Sequence, residues 1–302
     1  MRGHTMKIGF VGTGIMGAPM ALNILKRGNQ LIVYNRTPDK TLPLREAGAT
    51  AVSSLQDIRD VDVLITVLAD GAAERAVLFD SGLIDRLPQH CVHMSSTTVG
   101  IDTAQELTEA HGKRGRIYVA APVLGRAVDM AAEGKLFVIA GGAAEGLSRC
   151  APLFAAIGQR TFEFGPDPVT AVAAKLAINF LVVSAIEAMS EAFALTAQYG
   201  VRPSDFYEFI TNTLFGTPIY KAYGKLIERN CFTPANFVVP LGLKDVKLAI
   251  DAGERVNLAM PLASIARDHL VQALAQGYRD HDWSVIGRVV ANALLPPKSM
   301  SS

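Results

Sequence analysis

The sequence predicts a doubly wound parallel α/β domain followed by an all-α domain. Short runs rich in valine, isoleucine and aromatic residues alternate with helical segments through the first half of the chain. These runs are continuously apolar, which is typical of parallel strands covered by helices on both faces. After about residue 165 a Gly-Pro-Asp-Pro segment interrupts this pattern, and helical periodicity dominates from there to the end.

Six strands are predicted in the α/β domain. Each is a short run bounded by polar or glycine-containing segments, and helical stretches separate most of them. The predicted strands are residues 7–11 (KIGFV), 30–34 (QLIVY), 61–68 (VDVLITVL), 91–94 (CVHM), 117–121 (IYVAA) and 136–140 (LFVIA).

Length and composition favour two domains with extensive cores. The chain has 302 residues, of which 50% are hydrophobic and 19% charged. We predict a dinucleotide-binding domain over residues 1–165 and a substrate and oligomerisation domain over 166–302. The low charge content predicts a homodimer or homotetramer assembled through the second domain, with a cleft between the two domains. The net charge of +1 gives no indication of nucleic acid or membrane binding.

A glycine-rich turn follows the first predicted strand. Gly12-Thr13-Gly14-Ile15-Met16-Gly17 has the Gly-x-Gly-x-x-Gly spacing, with a strand before it and a helix after it. In this context the first glycine permits a tight turn, the second lets backbone approach a pyrophosphate, and the third lets helix and strand pack closely. The turn therefore predicts a Rossmann-type dinucleotide site that uses these six residues.

The end of the second predicted strand indicates which dinucleotide binds. An NAD site usually has Asp or Glu here to hold the ribose hydroxyls, but this chain has Asn35-Arg36-Thr37. Asn35 does not repel a 2′-phosphate, Arg36 can pair with it, and Thr37 can donate a hydrogen bond. These residues favour NADP(H) over NAD(H).

A long apolar helix is predicted to begin the second domain. Residues 171–189 approach the length of a membrane span, but Lys175, Asn179 and Glu187 interrupt them, so we predict a buried core helix of a soluble protein. Lys175 and Asn179 are four residues apart and share one face. Either the lysine pairs with a buried carboxylate, or the helix lines a cleft that needs a lysine.

Four ordered motifs resemble the β-hydroxyacid dehydrogenases. This family includes 3-hydroxyisobutyrate dehydrogenase and glyoxylate/succinic semialdehyde reductases, and its first domain belongs to the 6-phosphogluconate dehydrogenase NAD-binding superfamily. The resemblance extends from Met6 to about Val290. The motifs are GFVGTGIMGAPMALNILKRG for the cofactor, APVLGRAVDMAAEGKLFVIAGG for the substrate loop, KLAINF for the catalytic helix and LKDVKLAIDAG for a late helix.

The resemblance implies a role for each matching residue. Lys175 would be the general acid/base and Asn179 would orient the substrate. Further contacts to cofactor or substrate would come from Leu68, Ser96, Gly125, Arg126 and Lys244, with Asp245 beside Lys244. An ordinary surface ion pair is the alternative for Lys244 and Asp245.

Two segments depart from the family pattern. Leu124 stands where the family commonly has a serine that helps bind the substrate carboxylate, and Arg126 follows Gly125. The segment HMSSTT, which contains Ser96, differs from the usual Asp-x-Ser-Thr. Both departures bear on substrate choice and leave the fold and cofactor predictions unchanged.

Other chemistries lack their motifs. The six histidines show no zinc-binding spacing, and the sequence contains no Gly-x-Ser-x-Gly nucleophile turn. Cys91 is expected to be an inert buried thiol, and His90 and His93 to be structural or exposed. Three widely spaced cysteines give no disulfide framework, which favours a reducing cytoplasmic location.

We therefore predict an NADP-dependent oxidoreductase that transfers a hydride between NADP(H) and a 3-hydroxy acid or small aldehyde or ketone. Lys175 would donate or accept the proton, because burial lowers a lysine pKa towards neutrality. One alternative is imine reduction on the same scaffold, where the lysine position usually carries another residue such as Asp. The other is a non-catalytic NADPH-binding protein, which would not need the lysine.

Overall fold

The computed structural model describes residues 5–293 of the chain. By its internal contacts the chain divides into two compact units, Met1–Lys175 and Leu176–Ser302. The division falls within a long helix whose first two turns belong to the first unit. The domain boundary at residues 165 and 166 stays a prediction.

Nine strands form the sheet of the first unit. They are β1 (Lys7–Val11), β2 (Gln30–Tyr34), β3 (Thr50–Ala51), β4 (Val63–Thr66), β5 (Val92–Ser95), β6 (Ile117–Ala120), β7 (Val123–Leu124), β8 (Leu136–Gly142) and β9 (Gly158–Glu163). All six predicted strands are present within a few residues of their expected ends. The predictions missed β3, β7 and β9: two of these contain only two residues, and β9 is mostly exposed and polar.

The strand order confirms a doubly wound parallel sheet. The order is β3-β2-β1-β4-β5-β6-β8-β7, with β9 paired to β8. The pairs from β3 to β6 are all parallel, whereas β8 runs antiparallel to β6 and β7. The chain moves outward from β1 to β3 and then returns to β4 on the other side. The carboxyl ends of β1 and β4 therefore form the switch point at which such sheets bind ligands.

Helices account for most of the remaining chain. Those that begin in the first unit are α1 (Gly17–Lys26), α2 (Leu42–Glu46), α3 (Gly71–Arg75), α4 (Leu83–Arg86), α5 (Ile101–Gly112), α6 (Ala144–Ile157) and α7 (Pro168–Gln198). Those of the second unit are α8 (Pro203–Thr211), α9 (Pro218–Glu228), α10 (Val239–Glu254), α11 (Pro261–Ala275) and α12 (Ile286–Asn292). The all-α prediction for the second half is confirmed.

The two faces of the sheet differ in their chemistry. Val63, Ile65, Val92, Met94 and Val119 alternate along β4 to β6 and join one apolar core with side chains of α1 and α6. Because successive strand residues point to opposite faces, the residues between them point to the other side. That second face holds the polar side chains described below.

Helix α7 is less buried than the sequence predicts. Its length and composition would allow it to cross a membrane, with a mean hydropathy of 2.0, but a core helix of a soluble protein passes the same test. One side contributes Val182, Val183 and Ile186 to the core of the second unit. The other side leaves Leu181 and Leu195 exposed. The apolar pattern all round the helix thus reflects one packed face and one uncovered apolar face.

Candidate active site

The glycine-rich turn is fixed by close backbone approaches. Gly12 adopts a left-handed φ of 99°, which favours glycine, and a Cβ there would overlap the carbonyl oxygen of Val67. A Cβ on Gly17 would overlap the carbonyl oxygen of Gly12. Two of the three glycines are therefore required by the fold of β1, α1 and β4 itself.

Gly14 has a different environment. A Cβ built on it would meet no atom of the described residues within 4 Å, so the absence of a side chain leaves open space at the turn. Helix α1 begins at Gly17 with no side-chain cap and no acidic residue in its first turn. Free N–H groups without competing acids suit a phosphate group. The turn thus fits the predicted pyrophosphate.

The end of β2 is attached to the glycine-rich turn through Asn35. Its side-chain oxygen accepts a hydrogen bond from the Thr13 N–H at 3.1 Å, and its amide donates to the Thr37 carbonyl at 2.9 Å. Thr13 also donates its hydroxyl to the Lys40 carbonyl. Asn35 therefore holds the turn in place, while Arg36 and Thr37 are exposed.

The carboxyl ends of β4 and β5 carry two further predicted residues. The Leu68 N–H donates to the Thr97 hydroxyl at 2.9 Å, and the Ser96 N–H donates to the Thr66 carbonyl at 2.8 Å. The Ser96 hydroxyl is buried and makes no hydrogen bond within the described residues. Because a buried hydroxyl is costly without a partner, Ser96 is suited to meet a bound molecule.

The predicted substrate loop lies between β7 and β8. Gly125 has a φ of 145°, and a Cβ there would come within 2.7 Å of Leu136. Arg126 is exposed, and its guanidinium pairs with the Asp129 carboxylate. The pairing lowers the pKa of Asp129 below its ordinary value, chiefly through the hydrogen bond from Arg126. The loop therefore presents a cation at the position after the glycine.

Helix α7 carries Lys175 and Asn179 one turn apart, and both are buried, with 7% and 8% of their surface exposed. Asn179 donates its amide to the Asp245 carboxylate at 2.6 Å, and Lys244 lies 3.0 Å from the other carboxylate oxygen. Asp245 is itself buried. Because Asp245 holds the Asn179 amide nitrogen, the Asn179 oxygen is fixed in direction.

The predicted site residues form two sets in the structure. The glycine-rich turn, Asn35, Leu68, Ser96 and the substrate loop belong to the first unit, whereas Asn179 and Lys244 belong to the second. Lys175 is the last residue of the first unit, and the continuous helix α7 fixes its spacing to Asn179. The sequence places Asp245 only beside Lys244. It contains no signal for the contact with Asn179, which joins residues 66 positions apart.

The remaining candidate residues, Cys91, His90 and His93, have no evident reactive role. Burial raises the pKa of the Cys91 thiol to about 12, as expected for an inert cysteine. His90 is exposed and His93 is fully buried. Over residues 5–293 no group of three or more His, Cys, Asp or Glu side chains could hold a metal ion.

Two family models together match nearly the whole chain. Residues 7–165 match the NAD binding domain of 6-phosphogluconate dehydrogenase. Residues 170–290 match the NAD-binding domain of NADP-dependent 3-hydroxyisobutyrate dehydrogenase. The first match alone covers the glycine-rich turn, the sheet and the substrate loop.

Individual proteins extend this likeness over the full fold. An uncharacterized oxidoreductase, YfjR, from Bacillus subtilis is 40% identical over 93% of this chain and 98% of its own length. A 3-hydroxyisobutyrate dehydrogenase from Pseudomonas aeruginosa is 32% identical over 91% of this chain and 94% of its own.

A solved 3-hydroxyisobutyrate dehydrogenase (ygbJ) from Salmonella typhimurium superposes with a TM-score of 0.83 at 27% identity, covering 94% of this chain and 99% of its own. The glycine-rich turn, the doubly wound sheet and the apolar helix with its lysine and asparagine thus occur in a chain that matches this family along nearly all its length. The chain belongs to the β-hydroxyacid dehydrogenase family and is an NAD(P)-dependent oxidoreductase.

Proposed function

We propose that the chain is an NADP-dependent enzyme that interconverts a 3-hydroxy acid, or a related small alcohol, and the corresponding aldehyde or ketone. The observation that carries this proposal is the burial of Lys175 on helix α7, one turn from an asparagine whose amide is held by Asp245. A lysine side chain is suited to proton transfer, because its Nζ atom can both donate and accept a proton.

The bound nicotinamide supplies or accepts the hydride. The protein must then supply the proton, because a carbonyl oxygen gains negative charge when hydride arrives at its carbon. Protonated Lys175 stabilises that charge and donates its proton to the oxygen, which gives the alcohol. In the reverse direction, neutral Lys175 removes the hydroxyl proton. Asn179 orients the substrate oxygen next to the lysine.

The cofactor preference rests on the residues after β2. Asn35 is uncharged, so it does not repel a 2′-phosphate, and its hydrogen bond to Thr13 fixes it beside the glycine-rich turn. Arg36 is exposed and free to move towards an anion. A guanidinium pairs with a phosphate through charge-assisted hydrogen bonds. These features support NADP(H) over NAD(H).

The substrate preference rests on the loop after β7. Arg126 offers a guanidinium next to Gly125, where the family commonly relies on a serine hydroxyl two residues earlier. Its partner Asp129 is exposed enough to be displaced by a substrate anion. We infer that Arg126 and the Gly125 N–H bind the acidic end of the substrate. Anionic substrates should therefore be preferred over neutral aldehydes of the same size.

The decisive experiment compares turnover and cofactor affinity in Lys175→Ala. NADPH oxidation is first measured with a panel of semialdehydes, neutral aldehydes, ketones and cyclic imines, and the best substrate is used for the variant. We expect turnover to fall by roughly 10²–10⁴-fold, the usual contribution of a general acid or base. NADPH affinity, measured by fluorescence titration, should change little because the phosphate-binding residues are elsewhere in the sequence.

Two further variants sharpen this test. Asn179→Ala should cost less turnover, since Asn179 orients groups without transferring the proton. Lys175→Arg should not restore activity, because a guanidinium stays charged near neutral pH. Near wild-type turnover in Lys175→Ala would make the lysine structural. Faster reduction of imines than of carbonyl compounds would favour an imine reductase. NADPH binding without turnover of any substrate would favour a non-catalytic protein.

A cytoplasmic location is part of the proposal. All three cysteines are free thiols, and two of them, Cys91 and Cys150, are buried. A protein with this cysteine content is suited to a reducing compartment.

A further inference from the structure

A cluster of polar side chains is buried on the second face of the sheet, opposite the apolar core. Glu74 of α3, Thr66 of β4, and His93 and Ser95 of β5 each have at most 1% of their surface exposed. No solvent reaches them, so the cluster cannot act on a substrate directly. The cluster lies at the carboxyl ends of two strands, because Thr66 is the last residue of β4 and Ser95 the last residue of β5.

The hydrogen bonds of the cluster converge on one carboxylate oxygen. Glu74 Oε1 accepts from the Thr66 hydroxyl at 2.7 Å and from the Ser95 hydroxyl at 2.8 Å. The Thr66 oxygen also lies 3.0 Å from His93 Nε2. Since the Thr66 hydrogen is donated to Glu74, His93 must donate its Nε2 hydrogen to Thr66. The carboxyl group thus ties neighbouring strands to helix α3.

Burial of this carboxyl group is unfavourable in itself. Desolvation raises the pKa of Glu74, and the neighbouring hydroxyl groups, among them those of Thr66 and Ser95, oppose the rise. Well-packed apolar residues can replace a whole buried polar network at little or no cost to stability. A role in stability alone therefore does not explain why a carboxyl group occupies this position.

The strand ends that Glu74 holds lead directly to two predicted cofactor contacts. Leu68 follows Thr66 by two residues, and Ser96 follows Ser95. The Leu68 N–H is bonded to the Thr97 hydroxyl, so the two segments are also joined to each other. Any shift between β4 and β5 would move Leu68 relative to the Ser96 hydroxyl, which makes no hydrogen bond within residues 5–293.

We propose that Glu74 is a positioning residue for cofactor binding, which holds the carboxyl ends of β4 and β5 in register through Thr66 and Ser95. The inference rests on the proposed function only in assigning Leu68 and Ser96 to the cofactor. It does not depend on Lys175 or on the identity of the substrate. Glu74 contacts neither cofactor nor substrate and acts through the two strand ends.

The test compares Glu74→Leu with Glu74→Gln in the full-length protein without substrate. NADPH affinity is measured by fluorescence titration, and the Tm of the cofactor-free protein by calorimetry. Glu74→Leu should raise the Kd by about tenfold or more, as expected when several hydrogen bonds that fix a site are lost. Glu74→Gln should stay within about threefold of wild type, because its amide oxygen can accept both hydroxyl groups.

A matched core variant separates positioning from general loss of stability. Leu153→Ala opens a cavity in the apolar core that lies against the other face of the sheet. It should lower Tm while leaving the NADPH Kd near the wild-type value. Glu74→Leu should also lower Tm, because it leaves the buried Thr66 and Ser95 hydroxyl groups without an acceptor, but unlike Leu153→Ala it should raise the NADPH Kd.

Several outcomes would overturn the inference. One is a wild-type Kd in Glu74→Leu; another is a Kd in Leu153→Ala that rises as much as in Glu74→Leu. If Glu74→Leu does not fold, Thr66→Val and Ser95→Ala decide, and an unchanged Kd in both refutes the proposal. Failure of the lysine mechanism would appear as retained turnover in Lys175→Ala and would leave these Kd values unaffected. A wild-type protein that binds neither NADPH nor NADH would refute both proposals.

Discussion

Arg36 is the residue on which the cofactor preference depends most directly. It is exposed after β2, next to an asparagine already engaged by the glycine-rich turn. We expect Arg36→Ala to lose about 1–3 kcal/mol of NADPH binding, the range for a hydrogen bond to a charged group. NADH affinity should barely change, because NADH has no 2′-phosphate. Calorimetric titration of both cofactors measures the difference.

Arg59→Ala is the matched control for this change. Arg59 is also exposed and precedes β4, so it lies towards the amino ends of the strands rather than the carboxyl ends. Its removal should leave both affinities unchanged. Equal affinity of the wild type for NADPH and NADH would contradict the proposed preference.

His111 gives a prediction about acid stability. Its ring stacks on His93 with centroids 4.9 Å apart, and its Nδ1 donates to the Leu107 carbonyl at 2.8 Å. Burial lowers the pKa of His111 to about 4, the Leu107 carbonyl opposes this change, and the positive charges of Arg116 and Arg114 add to it. The folded protein therefore resists the proton that an unfolded chain accepts near pH 6.5.

The sign of the effect follows from proton linkage. Well above pH 6.5 His111 is neutral in both states and does not affect stability. As the pH falls towards 4 the unfolded state binds more protons, so the free energy of unfolding decreases, by about 2 kcal/mol between pH 7 and pH 5. His111→Asn keeps a donor near the Nδ1 position and should reduce this loss. Urea denaturation at pH 7 and pH 5 measures this loss in the wild type and the variant. His90→Asn, which replaces an exposed histidine, is the control and should behave as wild type.

The residues of the site could be predicted to different extents. Gly12 and Gly17 were predicted from the motif spacing. Only the overlap at Gly17 is local, with the Gly12 carbonyl, whereas the overlap at Gly12 is with the Val67 carbonyl far along the chain. The second hydrogen-bonding partner of Asn179 could not be predicted, because Asp245 comes near only when α7 and α10 pack together. Glu74 gave no sequence signal either, since a lone glutamate on a short helix usually faces solvent.

At the level of elements, the strands that could be predicted are those with continuous apolar burial. Strand β4 is buried at every position and lies within its predicted run. Strand β9 has no fully buried residue, and the sequence Gly-Gln-Arg-Thr-Phe-Glu has no apolar alternation. Its pairing with β8 provides backbone hydrogen bonds that periodicity does not reveal. The two-residue strands β3 and β7 are too short to produce any pattern.

The turn between β1 and α1 allows a prediction that separates folding from binding. Gly17→Ala should reduce the free energy of unfolding by roughly 1–3 kcal/mol, because its Cβ would overlap the Gly12 carbonyl and displace α1. Gly14→Ala should not lower stability, since its Cβ meets no atom of the described residues within 4 Å. It should still weaken cofactor binding by about tenfold or more, because the methyl group would occupy space needed by the phosphates.

Urea denaturation and NADPH titration measure the two effects independently. Gly112→Ala is the control, because a Cβ there also meets no atom within 4 Å, at the end of a helix far along the chain from the turn. It should leave NADPH affinity unchanged and should not lower the free energy of unfolding, because Ala is favoured over Gly in a helix by up to about 1 kcal/mol. Cofactor affinity in Gly14→Ala equal to wild type would show that the open space at this glycine is not the phosphate site.

At the scale of the whole molecule, exposed apolar side chains are unevenly distributed. Most of the large ones follow residue 176 within the described part of the chain, among them Leu181, Leu195, Phe209 and Leu214. Low charge and high apolar content predicted extra buried surface from the sequence, but not which residues would remain uncovered. Only the packing of α7 identifies the uncovered residues. The sequence of an apolar helix face does not indicate whether residues of the same chain or of another chain cover it.

We propose that this apolar surface is covered in a homodimer or homotetramer. Leu181 and Leu195 are fourteen residues apart on α7 and share one exposed face of the helix. Leu181→Glu and Leu195→Glu should therefore each shift the protein towards monomer in light scattering at micromolar concentration, since a buried unpaired carboxylate is costly. Leu42→Glu, at a partly exposed leucine of the first unit, should leave the mass unchanged. A wild-type protein that is strictly monomeric under these conditions would refute the assembly and leave the exposed leucines of α7 without an assigned role.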